Sequence, residues 1–298
     1  MRIFVTGGTG LVGRAIVKAF LQRGDDVTTL ARSDNSADIQ RELGATPIRG
    51  SLTDPGDWVN FALEHEAFIH AAATFDNDMG SVDHNLVRAL LEQAQSLPEE
   101  HQIPFLYTGG CWLYPEEPVI PISERHMLEP MQEFEWMLDS IEQLNECPNF
   151  LLTVIHPGLV IDKGRGFIAN YARDLKENGE ITIVDSTETH FPIVHADDLA
   201  QLYVSALDNR GDGLLLNASA IKSATAGEIG KLVAQNCKLP YQASVISIEE
   251  AQERLGSWAS AHARSQRMSS DRARQLLGWA PQYDTIEKLV QESLLEDR

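Results

Sequence analysis

Apolar and polar positions along the chain switch between two periods. Residues 2–5 form a short apolar run that ends in glycines, and Val12, Ile16, Ala19 and Phe20 then recur at helical spacing over 11–23. Gly24 closes that stretch, as a glycine just past a helix C-terminus does. Further strands are predicted at 26–30, 46–48, 67–71, 104–108 and 151–155, with helices around 37–43, 57–63 and 82–97 between them. Repeated strand–helix–strand units predict a doubly wound parallel sheet of the α/β class.

After Pro157 and Gly158 the rhythm changes. The pattern predicts a helix over 167–177, a strand at 181–184 and an apolar segment at 191–194, then a helix begun by Asp197 and Asp198. A strand at 214–217, a helix over 225–237, a strand near 244–248 and two C-terminal helices complete it. This half reads as a smaller α+β lobe packed on the first, with a cleft between them.

Composition narrows the partners. Apolar residues make up 43% and charged residues 23%, ordinary for a globular chain, and the formal net charge is -20. Such acidity repels phosphate backbones, so nucleic acid is not expected as a partner. No run of about 18 apolar residues exists, so no membrane span is expected. The N-terminus enters a strand at once, without a secretory signal. Cys111, Cys147 and Cys237 are odd in number, far apart and without metal-ligand spacing. A reducing cytoplasm and no metal are therefore expected, and Cys111 reads as a small buried hydrophobe ahead of a nucleophile. A monomer or a homodimer is expected.

The stretch Gly7-Gly8-Thr9-Gly10-Leu11-Val12-Gly13 joins the first strand directly to the first helix. Glycines let the backbone approach a pyrophosphate, and the helix N-terminus offers N–H groups and a positive dipole end. Gly13 lets helix and strand pack closely. The spacing lacks the Gly-Lys-Ser/Thr of a phosphate loop, which argues against a P-loop NTPase. A Rossmann dinucleotide-binding domain is thus expected over 1–160, and a smaller substrate-binding lobe, partly interleaved with it, over 161–298. NAD binders usually place an acid after the second strand, but here Arg32 and Ser33 follow Ala31. A guanidinium pairs with a 2′-phosphate and Ser33 can add a hydrogen bond, so NADP(H) is favoured over NAD(H). Gly10 and Gly13 are expected to serve cofactor binding more than folding.

The chain resembles the extended and atypical short-chain dehydrogenase/reductases, the NAD-dependent epimerase/dehydratase-like family, through nearly its whole length. Residues 6–13 match the family's TGxxGxxG, and 50–54 resemble its GDLTD with Ser51 in place of the aspartate. Residues 69–73 resemble the stretch beneath the cofactor, 156–162 its RPGxVYG, 194–200 its VHVDDLA, and 273–283 its C-terminal KARRELGWxPxx. The resemblance implies cofactor contacts from Ser51, Leu52, Ala71, Ala72, Ala73, Pro157 and Gly158 beside those of Gly7, Thr9, Gly10, Leu11, Val12, Gly13, Arg32 and Ser33. It also implies a Ser or Thr after the fifth strand and a Tyr-x-x-x-Lys helix, whose Tyr moves a proton while nicotinamide moves hydride.

That catalytic set is not matched. Gly110 stands at the serine position with Thr108 two residues away, and Phe134 and Leu138 stand at Tyr and Lys, one helical turn apart. Tyr114, Tyr171 and Tyr203 are followed four residues on by Pro118, Leu175 and Leu207. Tyr114 and Thr108 are the candidate replacements, and His156, His190 and His195 read as structural first. Two functions stay open: an NADP(H)-dependent oxidoreductase or epimerase-like enzyme on a small carbonyl or hydroxyl compound, and a non-catalytic NADP(H)-binding sensor or structural protein.

Overall fold

A computed structural model of the chain describes residues 1–74, 78–98, 100–209 and 213–295. In chain order the elements are β1 (Arg2–Thr6), α1 (Leu11–Arg23), β2 (Asp26–Ala31), α2 (Asp34–Leu43), β3 (Thr46–Arg49), α3 (Trp58–Leu63), β4 (Ala67–His70), α4 (Met79–Ala94), β5 (Ile103–Thr108), β6 (Glu117–Ile122), α5 (Trp136–Glu146) and β7 (Phe150–Pro157). There follow β8 (Leu159–Ile161), α6 (Phe167–Asn178), β9 (Ile181–Val184), β10 (His190–His195), α7 (Ala196–Asp208), β11 (Leu215–Ala218), β12 (Ile221–Thr225), α8 (Ala226–Cys237), β13 (Ala243–Ile246), α9 (Ile248–Leu255), β14 (Gln266–Met268), α10 (Asp271–Leu277) and α11 (Ile286–Ser293). The described residues form two compact units. One comprises Met1–Gly109, Phe134–His156 and Leu199–Leu216, the other Gly110–Glu133, Pro157–Asp198 and Asn217–Arg298.

The first unit is built on a seven-stranded sheet in the order β11-β7-β5-β4-β1-β2-β3, and every pairing from β3 through to β7 is parallel. This is the doubly wound order, which reverses between β1 and β4, where such sheets place their ligands. Register explains the core. Phe4 pairs with Phe68 and Phe68 with Phe105, so three rings stack in a row at 5.4 and 4.8 Å. Leu86 and Leu90 of α4 and Leu144 of α5 join the same cluster.

The second unit holds three small sheets, β12-β10-β8, β13-β9 and β14-β6. Its core gathers Ile161 and Ile193 from the strands with Ile168 and Tyr171 of α6 and Ile229 and Val233 of α8. Two expected helix positions shift. α2 starts three residues before the expected 37 because Ser33 caps it, accepting from the Ser36 N–H while Ser36 returns a bond to the Ser33 N–H. α4 runs over Met79–Ala94, where 82–97 was expected.

Candidate functional site

The β1–α1 turn owes its shape to close backbone approach. Gly7 has φ +78°, and a Cβ there would overlap the peptide linking Ala71 to Ala72. The Gly10 N–H donates to the Gly7 carbonyl at 2.8 Å, and a Cβ on Gly13 would overlap that same Gly7 carbonyl. The turn is therefore seated on the strand end behind it. Gly10 is the N-cap of α1, and no side chain among the described residues caps that terminus. Thr9, Leu11 and Val12 are half-buried beside it. The turn forms a backbone cradle at the N-terminus of a 13-residue helix, where the strand order reverses.

The neighbouring strand ends bring in the remaining first-unit candidates. Ala31 pairs with Arg49, and the Gly50 N–H donates to the Ala31 carbonyl, so the 50–52 loop lies beside the end of β2. Arg32 is exposed there. The Ser33 hydroxyl is already engaged as the α2 cap. Ser51 Oγ meets Thr53 Oγ1 at 2.8 Å. Leu52, Ala72 and Ala73 line one pocket with His70, Asp83 and Trp136. Pro157 and Gly158 belong to the second unit, where Gly158 is pressed against the Pro192 backbone.

Behind the turn lies a polar cluster that sequence reading missed. Thr6 Oγ1 is 2.7 Å from His70 Nδ1, and His70 Nε2 is 2.8 Å from Asp83 Oδ1. Tyr107 and Ser140 donate to Asp83 Oδ2 at 3.1 and 2.6 Å. Thr108 Oγ1 donates to the His70 carbonyl and lies 2.6 Å from the Tyr203 hydroxyl. Burial holds the Tyr203 and Tyr107 hydroxyls above the ordinary tyrosine range. One signal could have found the cluster: Asp83 shares the face of α4 that carries Leu86, Val87 and Leu90.

The expected acid/base groups are placed as follows. Tyr114 is fully buried in the second unit's core. Burial and then the charge of Glu124 push its hydroxyl well above the usual range, with an Asn217 hydrogen bond opposing them. This environment speaks against Tyr114 as the acid. Thr108 stays half-buried, but its proton is spent on a backbone carbonyl. Phe134 ends a 3-10 turn, and α5 begins at Trp136, so Phe134 and Leu138 do not share one helix as expected. Burial pushes the Cys111 thiol up to about 12, which removes it as a nucleophile near neutrality.

The three candidate histidines are held in three different ways. The His156 ring occupies the space a side chain at Gly109 would need. His190 Nδ1 is 2.7 Å from Ser223 Oγ. His195 is fully buried, stacks near Tyr283 at 4.0 Å, and accepts the Asp197 N–H on Nδ1. Asp198 was expected to cap α7, yet its two oxygens accept the Gln282 and Tyr283 N–H groups at 2.7 and 3.0 Å. Among the described residues no group of three or more His, Cys, Asp or Glu could hold a metal, and no helix is long and apolar enough to cross a membrane.

The fold and the turn define a protein of the Rossmann class, with its candidate ligand site at the carboxyl ends of a doubly wound sheet. A sequence model of the NAD dependent epimerase/dehydratase family matches residues 3–217, and the chain belongs to that family. An uncharacterized protein of Schizosaccharomyces pombe is 26% identical over 291 residues, which cover 96% of this chain and 97% of that one. An uncharacterized protein of Saccharomyces cerevisiae is 24% identical over 307 residues, covering 100% and 97%. The UDP-glucuronic acid 4-epimerase of Bacillus cereus, solved with UDP-glucuronic acid and NAD, shares the fold with a TM-score of 0.82 at 14% identity, over 98% of both chains.

Proposed function

We propose that this chain is an NADP(H)-dependent oxidoreductase or epimerase-like enzyme acting on a small carbonyl or hydroxyl compound in the cytoplasm. Residues 1–160 would carry the cofactor and 161–298, partly interleaved with them, the substrate. The observation that carries the reading is the β1–α1 turn: Gly10 starts a 13-residue helix whose N-terminus no side chain among the described residues caps, at the point where the strand order reverses. That the Bacillus cereus epimerase was solved with NAD on the same fold supports it. Arg32, exposed at the end of β2 with no acid beside it until Asp34, supports NADP(H) as the cofactor. When bound, the cofactor would supply hydride transfer. Gly7, Thr9, Gly10, Leu11, Val12 and Gly13 would hold its pyrophosphate, Arg32 and Ser33 its 2′-phosphate, and Ser51 and Leu52 its adenine, with residues 71–73 beneath the cofactor.

Calorimetric titration tests the assignment. NADPH should bind tighter than NADH, and Arg32→Ala should weaken NADPH about tenfold or more while leaving NADH nearly unchanged, because one charge-assisted contact is lost. Equal losses for both cofactors overturn the NADP(H) assignment.

A second reading, a cofactor-binding protein without turnover, is favoured by two observations: the Tyr114 hydroxyl is buried and the Thr108 proton is committed. Cofactor binding without turnover across a broad carbonyl and alcohol panel would establish it.

A further inference from the structure

Thr6 and His70 are register partners and the last residues of β1 and β4, the strands on either side of the point where the sheet order reverses. Each is followed directly by cradle backbone. Gly7 comes after Thr6 and Ala71 after His70, and these backbones touch so closely that no Cβ fits at Gly7. The Thr6 and His70 side chains therefore lie directly behind the contact between turn and floor.

They are held from behind by Asp83. Thr6, His70, Asp83, Tyr107 and Ser140 are all between 0% and 5% exposed. An ionised carboxylate only accepts hydrogen bonds, so His70 must present Nε2–H to Asp83 Oδ1. In the neutral ring Nδ1 is then the acceptor, and the Thr6 hydroxyl donates to it. Burial alone would raise the Asp83 carboxyl, but the bonds from His70, Ser140 and Tyr107 outweigh it and hold the group below its ordinary value. The carboxylate faces two ways: Oδ1 serves His70 and the cradle, Oδ2 serves Tyr107 and Ser140. A buried carboxylate is costly, and apolar side chains of similar volume often pack as well or better. What they cannot supply is direction, which the chain Asp83–His70–Thr6 does.

We propose that Asp83 is a positioning residue for dinucleotide binding: through His70 it fixes Thr6, and with it the distance between the glycine turn and the 71–73 floor. This rests on the reading that a dinucleotide binds at that turn.

The two-sided carboxylate supplies its own control. NADPH affinity by calorimetry and thermal unfolding are measured on the full chain for Asp83→Ala, Thr6→Val and Ser140→Ala. Asp83→Ala and Thr6→Val should each weaken NADPH about fivefold to tenfold, and the double variant no more than the worse single one, since both break one relay. Ser140→Ala removes an equally buried bond from the other oxygen, so it should lower the unfolding temperature and leave affinity within about twofold. In cofactor-free protein, at a pH where the ring is neutral, nitrogen NMR should show His70 with Nε2 protonated and Nδ1 bare, and Asp83→Ala should mix the tautomers. Wild-type binding with affinity unmoved by both Asp83→Ala and Thr6→Val overturns the proposal and leaves the cofactor reading standing. A wild type that binds neither NADPH nor NADH overturns the cofactor reading itself and the proposal with it. Thr6→Val leaves every bond to Asp83 in place, so it decides the matter if Asp83→Ala does not fold.

Discussion

Gly10 and Gly13 sit three residues apart in one turn and answer to different constraints. A Cβ on Gly13 would overlap the carbonyl and carbonyl carbon of Gly7, which are backbone and cannot give way. On Gly10 it would meet only the Gly7 carbonyl oxygen, at 3.2 Å. Gly13→Ala should therefore push α1 off β1 and cost about 1–3 kcal/mol in urea unfolding of the cofactor-free protein. Gly10→Ala should leave unfolding nearly unchanged and abolish detectable NADPH binding. The expectation that both glycines serve binding more than folding is thus corrected for Gly13. Sequence shows that a glycine is present, and only the packing distance shows why. The same limit applies to Tyr114: its residue type suggested an acid, and its burial was not legible from its neighbours.

Among elements, what was legible followed from local periodicity. The strands and helices of the first half were readable because each carries its own apolar face and, in α1 and α2, its own glycine stop. β6, β8, β12, β14 and α9 were not read. β6 contains Pro118 and Pro121, exposes Val119 and Ile120, and pairs with β14, whose residues lie more than a hundred positions later. No alternation marks such a strand, and its partner is a tertiary fact. α7 was read correctly for the wrong reason: its first turn is capped by the His195 ring, while Asp198 clamps the segment before α11. The Trp279 indole N–H, donating to the Asp198 carbonyl, reinforces the clamp. Asp198→Ala should leave two part-buried N–H groups without their carboxylate acceptor and cost on the order of 1–2 kcal/mol, read as a lower urea midpoint. Asp198→Asn keeps one acceptor oxygen and should lose about half as much.

At the scale of the whole molecule, titrating groups predict the direction of the pH response. His262 packs among the rings of Trp112, Phe191 and Trp258, and burial lowers it to about 4. Unfolded, it takes up a proton near 6.5, so stability is full above that value and is lost as pH falls towards 4. The slope should be about 1.4 kcal/mol per pH unit for this one proton. His262→Phe should flatten that window in urea titrations at successive pH values. Asp25 and Asp83 act lower down. Burial opposes them, but the hydrogen bonds of Arg23 and the N-terminus on Asp25, and those of His70, Ser140 and Tyr107 on Asp83, hold both below the ordinary value. Their contributions are present above about 3.9 and disappear as pH falls through the folded values.

The chain leaves the first unit at Gly109, returns at Phe134, leaves again at His156, returns at Leu199 and departs after Leu216. During synthesis the first unit is therefore unfinished when its glycine turn, its first five strands and its buried Asp83 have all emerged from the ribosome. It still awaits Tyr203, which bonds Thr108, and β11, which borders β7. At about 5–20 residues per second, several seconds separate the end of β7 from β11, and for that interval the β7 edge of the sheet has no neighbour. A fragment of residues 1–160 is that waiting state made permanent. It should show strand and helix by circular dichroism with poor dispersion in its amide NMR spectrum, and chains stalled before Leu216 should be the ones chaperones hold.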